Sequence, residues 1–152
     1  SLYDMQIHYA PDEIKAACNI LDACISHIYH QRMLEVRNLD TAQQIEKYIN
    51  DNIAWDLSIE HLCAHFSVSR AELYQIFHTS FNSSVADYIR SKRIAMAEQM
   101  IRTTAMQISE IAANVGFYDY NYFSKVFHRK FGCSPREYRK NLESSEEEAE
   151  KK

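Results

Sequence analysis

Two short runs place metal-ligating side chains within reach of one another: Glu60, His61, Cys63 and His65, and Cys24, His27 and His30. On a helix His61 and His65 lie one turn apart, the spacing with which two imidazoles share a zinc ion. Cys63 points elsewhere on the same helix, and the catalytic glutamate that such a site needs between its histidines is absent. Cys24, His27 and His30 fall together on a helix and could form a redox or metal site. No CxxC pair occurs, however, and the four cysteines, Cys18, Cys24, Cys63 and Cys133, read as reduced packing residues. There is no Gly-rich phosphate loop, nucleophile elbow or pair of catalytic carboxylates, and Cys133 lacks the surroundings of an activated thiolate. We expect no enzymatic activity, no metal and no cofactor.

The elements that would carry any other chemistry are legible through a repeat. FHTSFNSSVADYIR begins at Phe77 and FHRKFGCSPREYRK at Phe127, 50 residues later, with Phe, His, Phe, Ser and Tyr recurring in place. Upstream, Ile59, Leu62 and Ala64 answer to Ile108, Ile111 and Ala113 at a spacing of 49, while Leu73 and Phe77 answer to Phe123 and Phe127 at 50. The second copy therefore holds one extra residue between its helices, where length changes belong. In the first copy Asp56-Leu57-Ser58 starts a short helix, and Ser69 with Glu72 makes a capping box for the next. In the second, Gly116 supplies the left-handed residue of the turn. The quoted motif is how each half leaves its third helix: Gly132 stops it, Ser134 caps the next with Pro135 first and Glu137 closing the box, and Asn82 and Ser84 do the same in the first copy. Two short helices joined by a tight turn outline a helix-turn-helix. Between the copies, residues 84–103 read as one helix of about 30 Å, close to the about 34 Å between successive major grooves on one side of B-DNA.

Composition agrees. Only two Gly and two Pro among 152 residues, with 46% hydrophobic, predict a mostly helical chain with a real core. The net charge of −4 is unevenly spread: residues 41–141 hold 12 basic and 10 acidic residues, against three and six before them and two and five after. An anionic partner must then be held by placed charges, not by a general field. No run of 18 apolar residues occurs and Ser1 to Ala10 has no signal-peptide pattern, so a soluble, cytoplasmic protein without membrane contact is expected. Residues 12–36 predict a helix with Ile14, Cys18, Leu21, Ile25 and Ile28 along one seam, suited to packing or to dimerisation through residues 12–31. A separate helix is predicted over residues 41–52, and disorder for the acidic run from Leu142. Ser1, with no Met before it, reads as the start of a piece of a longer protein.

The stretch IAANVGFYDYNYFSKVFHRKFGCSPREYR, residues 111–139, resembles the signature of the AraC/XylS family of bacterial transcription regulators, and LSIEHLCAHFSVSRAELYQIF with RIAMAEQMI resembles its first half. The resemblance implies an all-α fold of two helix-turn-helix subdomains joined by a long linker helix, about seven helices plus an N-terminal one. Residues 39–141 would form the DNA-binding domain, 1–38 the end of a missing sensory or dimerisation domain, and 142–152 the acidic tail. The implied function is sequence-specific regulation of transcription, activation being the expected sense. The implied partners are double-stranded DNA, RNA polymerase and a small-molecule effector held elsewhere, with the protein on the nucleoid when bound. Carried over by position, Arg70, Ala71, Tyr74 and Gln75 of the first recognition helix, and Tyr120, Asn121 and Lys125 of the second, would read bases. Gln75 and Asn121 suit adenine, Lys125 guanine, and Ala71 or Tyr74 a thymine methyl. Ser58, Ser69, Arg90, Arg93, Arg129 and Arg136 would hold phosphates. Plainer readings make Tyr74 and Tyr120 half-buried aromatics and pair Arg93 with a neighbouring carboxylate. The rival functions are a helical protein-interaction module and a metal- or redox-sensing regulator.

Overall fold

The computed structural model describes residues 11–150, with side chains over 12–145. The sequence's predictions for Ser1 to Ala10 and for Lys151 and Lys152 fall outside the described residues. Among the described residues there are seven helices and no strand: α1 Pro11–Asp51, α2 Ile59–Phe66, α3 Arg70–Phe81, α4 Val85–Thr103, α5 Ile108–Asn114, α6 Tyr120–Phe131 and α7 Pro135–Glu150. The expected all-α class is the one observed. Two compact units result, residues 1–40 and 41–152.

Two helices are predicted before α2, yet α1 is continuous. Arg37-Asn38-Leu39-Asp40 contains neither Gly nor Pro, so nothing in it stops a helix. Within the first unit the seam residues Ile14, Leu21, Ile25 and Ile28 are all exposed. Cys18 and Cys24 are exposed too, so the packing role expected of them is not met there; Cys63 and Cys133 are half-buried. At the other end α7 runs on to Glu150, through most of the acidic stretch expected to be disordered. That stretch holds no Gly or Pro, and Glu and Ala are good helix formers.

The second unit has two apolar cores. Ile45, Ile49, Leu62, Leu73, Phe77 and Ile89 lie in the first, and Ile94, Ile101, Ile111, Val115, Phe123 and Phe127 in the second. Each such side chain contributes about 1.5–3 kcal/mol by leaving water, and truncating Phe77 or Phe127 to Ala would cost about 3–5 kcal/mol. Helix α4 belongs to both: Val85 and Ile89 close the first core, while Ile94, Ala97 and Ile101 open the second. The repeat is thus longer than its motifs. Ala42, Ile45 and Ile49 of α1 stand to the first core as Ile94, Ala97 and Ile101 of α4 stand to the second, 52 residues on.

The turns follow the same logic. Ser67 (φ 53°) and Gly116 (φ 89°) are the left-handed residues after α2 and α5. Val68 and Phe117 follow them inward; then the copies differ, because Ser69 caps α3 directly whereas Tyr118 intervenes before Asp119 caps α6. The extra residue of the second copy is Tyr118, which is 91% exposed. Asn82 (φ 48°) and Gly132 (φ 78°) stop α3 and α6. Ser84 accepts from the Asp87 amide, while Ser134 and Glu137 exchange the paired bonds of a capping box at 2.8 and 3.3 Å.

Candidate nucleic-acid interface

Helices α3 and α6 each turn one side to a core and the other to solvent. On α3 the buried residues are Leu73, Ile76 and Phe77; on α6 they are Phe123, Val126 and Phe127. Both patterns leave the same positions outward. Arg70, Ala71, Tyr74 and Gln75 are all exposed, Tyr74 by 47%. At the corresponding places on α6, Asn121 and Lys125 are exposed, whereas Tyr120 is half-buried against the second core with its ring 6.2 Å from Phe123. Tyr120 is therefore more wall than reader, in keeping with the plainer expectation for it. The amides of Gln75 and Asn121 make no side-chain hydrogen bond among the described residues, so both remain available to an outside partner.

Three outward residues escape sequence reasoning. Ser124 stands where Tyr74 stands in the first copy, and its short side chain hides the correspondence. His78 and His128 share a place in the two copies, each lining a shallow depression between the recognition helix and the N-terminus of the helix that follows it. The recurring Phe-His of the repeated motif was the signal available for them.

The phosphate candidates separate by what already occupies them. Arg129, Arg136 and Lys125 are exposed and make no ion pair among the described residues. Arg90 reaches Asp87 at 2.5 Å and Arg70 pairs with Glu60 across the turn; pairs this exposed are worth about 0–1 kcal/mol and give way readily. Ser58 and Ser69 do cap α2 and α3, but each helix start also holds a carboxylate of its own. Asp56 accepts from the Ser58 amide at 3.0 Å, and Glu72 from the Ser69 amide at 2.8 Å. A phosphate approaching either would meet that charge.

Arg93 fits neither expectation for it. It donates neither to a carboxylate nor outward, but to three backbone carbonyls, of Ile53, Trp55 and Gly116, each at 3.0 Å. Burial lowers its pKa below the ordinary guanidinium value. It forms part of the wall of a cleft of about 630 Å3 between the two halves, beside Trp55, Phe117, Tyr118 and Tyr122.

In each half one polar clasp ties the helix after the recognition helix to the helix that opens that half. Glu46 accepts from the Tyr88 hydroxyl at 2.8 Å and from Lys92 at 2.7 Å; Glu98 accepts from the Tyr138 hydroxyl at 2.6 Å and from Arg102 at 2.6 Å. The Lys92 ammonium and Tyr88 hydroxyl hold Glu46 below its ordinary pKa, and the Tyr138 hydroxyl and Arg102 do the same for Glu98. Tyr88, chiefly by burial, and Tyr138, chiefly by its bond to Glu98, are pushed up. His61 and His65 serve packing against α1. His61 Nε2 shares a 2.8 Å hydrogen bond with the Tyr48 hydroxyl, and His65 packs on the Tyr48 ring at 4.1 Å.

A family model described as helix-turn-helix domain matches residues 62–141, more than half of the chain. The chain belongs to the AraC-type helix-turn-helix family. Its members are DNA-binding regulators of transcription, and the match takes in α3, α4, α5 and α6 whole, the elements just described. Among relatives, this AraC-type chain is 33% identical over 100 residues to the HTH-type transcriptional activator RhaR of Cronobacter sakazakii, covering 66% of itself and 35% of RhaR. It is 34% identical over 104 residues to the regulatory protein SoxS of Escherichia coli, covering 64% of itself and 97% of SoxS. A solved structure, the C-terminal domain of the two-component response regulator yesN from Fusobacterium nucleatum, superposes with a TM-score of 0.60 at 28% identity, covering 64% of this chain and 95% of that one. The chain spans about a third of RhaR, so what the whole of such a protein does belongs to proposal.

Proposed function

We propose that this AraC-type chain reads double-stranded DNA with α3 and α6 in successive major grooves and thereby regulates transcription. The observation that carries the reading is the paired outward face. Gln75 on α3 and Asn121 on α6 present amides with no side-chain hydrogen bond among the described residues, on helices whose other sides are locked into separate cores. Such an amide pairs bidentately with adenine, and the adjoining Lys125 donates to guanine acceptors. Arg129 and Arg136, without an ion pair among the described residues, supply phosphate contacts, with Arg90 after its exchange from Asp87. Ala71 and Tyr74 complete the apolar part of the first reader.

The apolar stripe from Ile14 to Ile28, exposed in the single chain, is the surface through which two copies would pair. A small-molecule effector would act through a domain outside this chain, and contact with RNA polymerase in the cytoplasm, on the nucleoid, would convert binding into activation, the sense named for RhaR. No helix among the described residues is long and apolar enough to cross a membrane. Hydroxyl-radical protection on a selected duplex tests the reading: two protected segments about ten base pairs apart on one face of the DNA are expected, and a single segment would reject paired reading.

A further inference from the structure

We propose that Arg93 is the positioning residue that locks the two helix-turn-helix units at one mutual orientation and so sets the base-pair spacing the chain accepts. The inference rests on the DNA reading above and adds to it the part that fixes geometry.

The two cores are separate, and α4 is the element common to both. A helix alone is a compliant connector: small changes of bend or twist in its middle would swing α6 relative to α3. Arg93 sits in that middle, between Ile89, the last buried residue given to the first core, and Ile94, the first given to the second. Its guanidinium takes the carbonyls of Ile53 and Trp55, which belong to the first half, and that of Gly116, which belongs to the turn of the second. A planar fork with five donors in fixed directions holds the three carbonyls in one set geometry; an ammonium, with three rotatable donors on a flexible stem, fixes no such plane.

The turn on the far side is built for this contact. At φ 89° Gly116 has the left-handed backbone, but so does Ser67, its counterpart 49 residues earlier, which carries a side chain there at φ 53°. Backbone shape therefore favours glycine at both Gly116 and Gly132, whose φ values lie beyond the one Ser67 adopts. What differs is Arg93: a Cβ on Gly116 would stand 2.8 Å from the guanidinium carbon and 2.9 Å from two of its nitrogens, whereas a Cβ on Gly132, equally left-handed at φ 78°, would meet nothing within 4 Å. Gly132 is therefore the control that separates backbone strain from displacement of Arg93.

The test uses the full chain and duplexes made from a selected site, with the spacer between its two clusters kept, shortened or lengthened by one and two base pairs, and single half-sites alongside. Affinity is read by fluorescence anisotropy at two salt concentrations, with circular dichroism to verify folding. The unaltered chain should prefer one spacer by roughly tenfold over its neighbours. Arg93→Ala and Gly116→Ala should both flatten that preference to about twofold while leaving half-site affinity within about twofold. Arg93→Lys should lie between, and Gly132→Ala should keep the original profile. Arg93→Ala weakening every spacer equally, with the salt slope reduced by about one, would make Arg93 a phosphate contact and overturn the proposal. Retention of the spacer preference in both Arg93→Ala and Gly116→Ala would overturn it too, with the DNA reading intact. Failure of the unaltered chain to prefer any duplex would instead strike the DNA reading, and this inference with it.

Discussion

The Tyr138 hydroxyl on α7 donates to Glu98 on α4 at 2.6 Å, as the Tyr88 hydroxyl on α4 donates to Glu46 on α1 at 2.8 Å. In both copies the helix after the recognition helix is tied by a tyrosine to the helix that opens the unit. Tyr138→Phe and Tyr88→Phe should each lower stability by about 0.5–1.5 kcal/mol, the net worth of such a bond. Chemical denaturation measures this directly, and a cost near zero for both would show the clasps to be incidental.

The same clasps predict a pH dependence. Glu46 and Glu98 have folded pKa values below the ordinary one, so the stability they contribute is fully present above the usual glutamate range, near about 4.3, and is lost as pH falls through the lowered folded values. Tyr88 and Tyr138 are raised, so their contribution is present below about 10 and is lost as pH rises through the raised values. Melting temperature followed over both ranges should fall at each end, and the acid fall should be shallower in the double variant Glu46→Gln, Glu98→Gln.

Left-handed residues other than glycine offer a gain in stability. Ser67 bears a backbone cost of about 1–2 kcal/mol, whereas glycine's extra freedom when unfolded takes back about 0.5–1 kcal/mol. Ser67→Gly should therefore stabilise by about 0.5 kcal/mol, and Gly132→Ala should destabilise by about 1 kcal/mol. Thermal melts of the two variants would show opposite signs.

On DNA, the division of labour predicts different mutant signatures. Gln75→Ala or Asn121→Ala should cost about 1–3 kcal/mol at one base position and little elsewhere, whereas Arg136→Ala should weaken all duplexes alike. Competition among single-base variants of a selected site measures both effects. If the three variants lost affinity uniformly, the separation of base readers from phosphate holders would be wrong.

Much of the fold is legible in the sequence because the signals are local. Ser69 with Glu72, Ser134 with Glu137, Asn82 and Gly132 announce helix ends in the chain itself, and the repeat places them in register. What escapes is long-range or silent. Nothing in α4 reveals that Arg93 finds carbonyls 40 and 38 residues before it and 23 after it, because carbonyls belong to every residue type. Tyr120 resembles a reader because its position matches Arg70, yet its first-turn ring leans on Phe123. The continuity of α1 and the length of α7 are hidden for one reason: polar residues look like an interruption, although only Gly, Pro or a competing cap ends a helix.

Selection of bound sequences from a random duplex pool, at two salt concentrations, tests the central claim most directly. Two informative clusters about ten base pairs apart are predicted, with one position of the first relaxed in Gln75→Ala and one position of the second relaxed in Asn121→Ala. A single cluster, or no enrichment over random sequence at either salt, would contradict it.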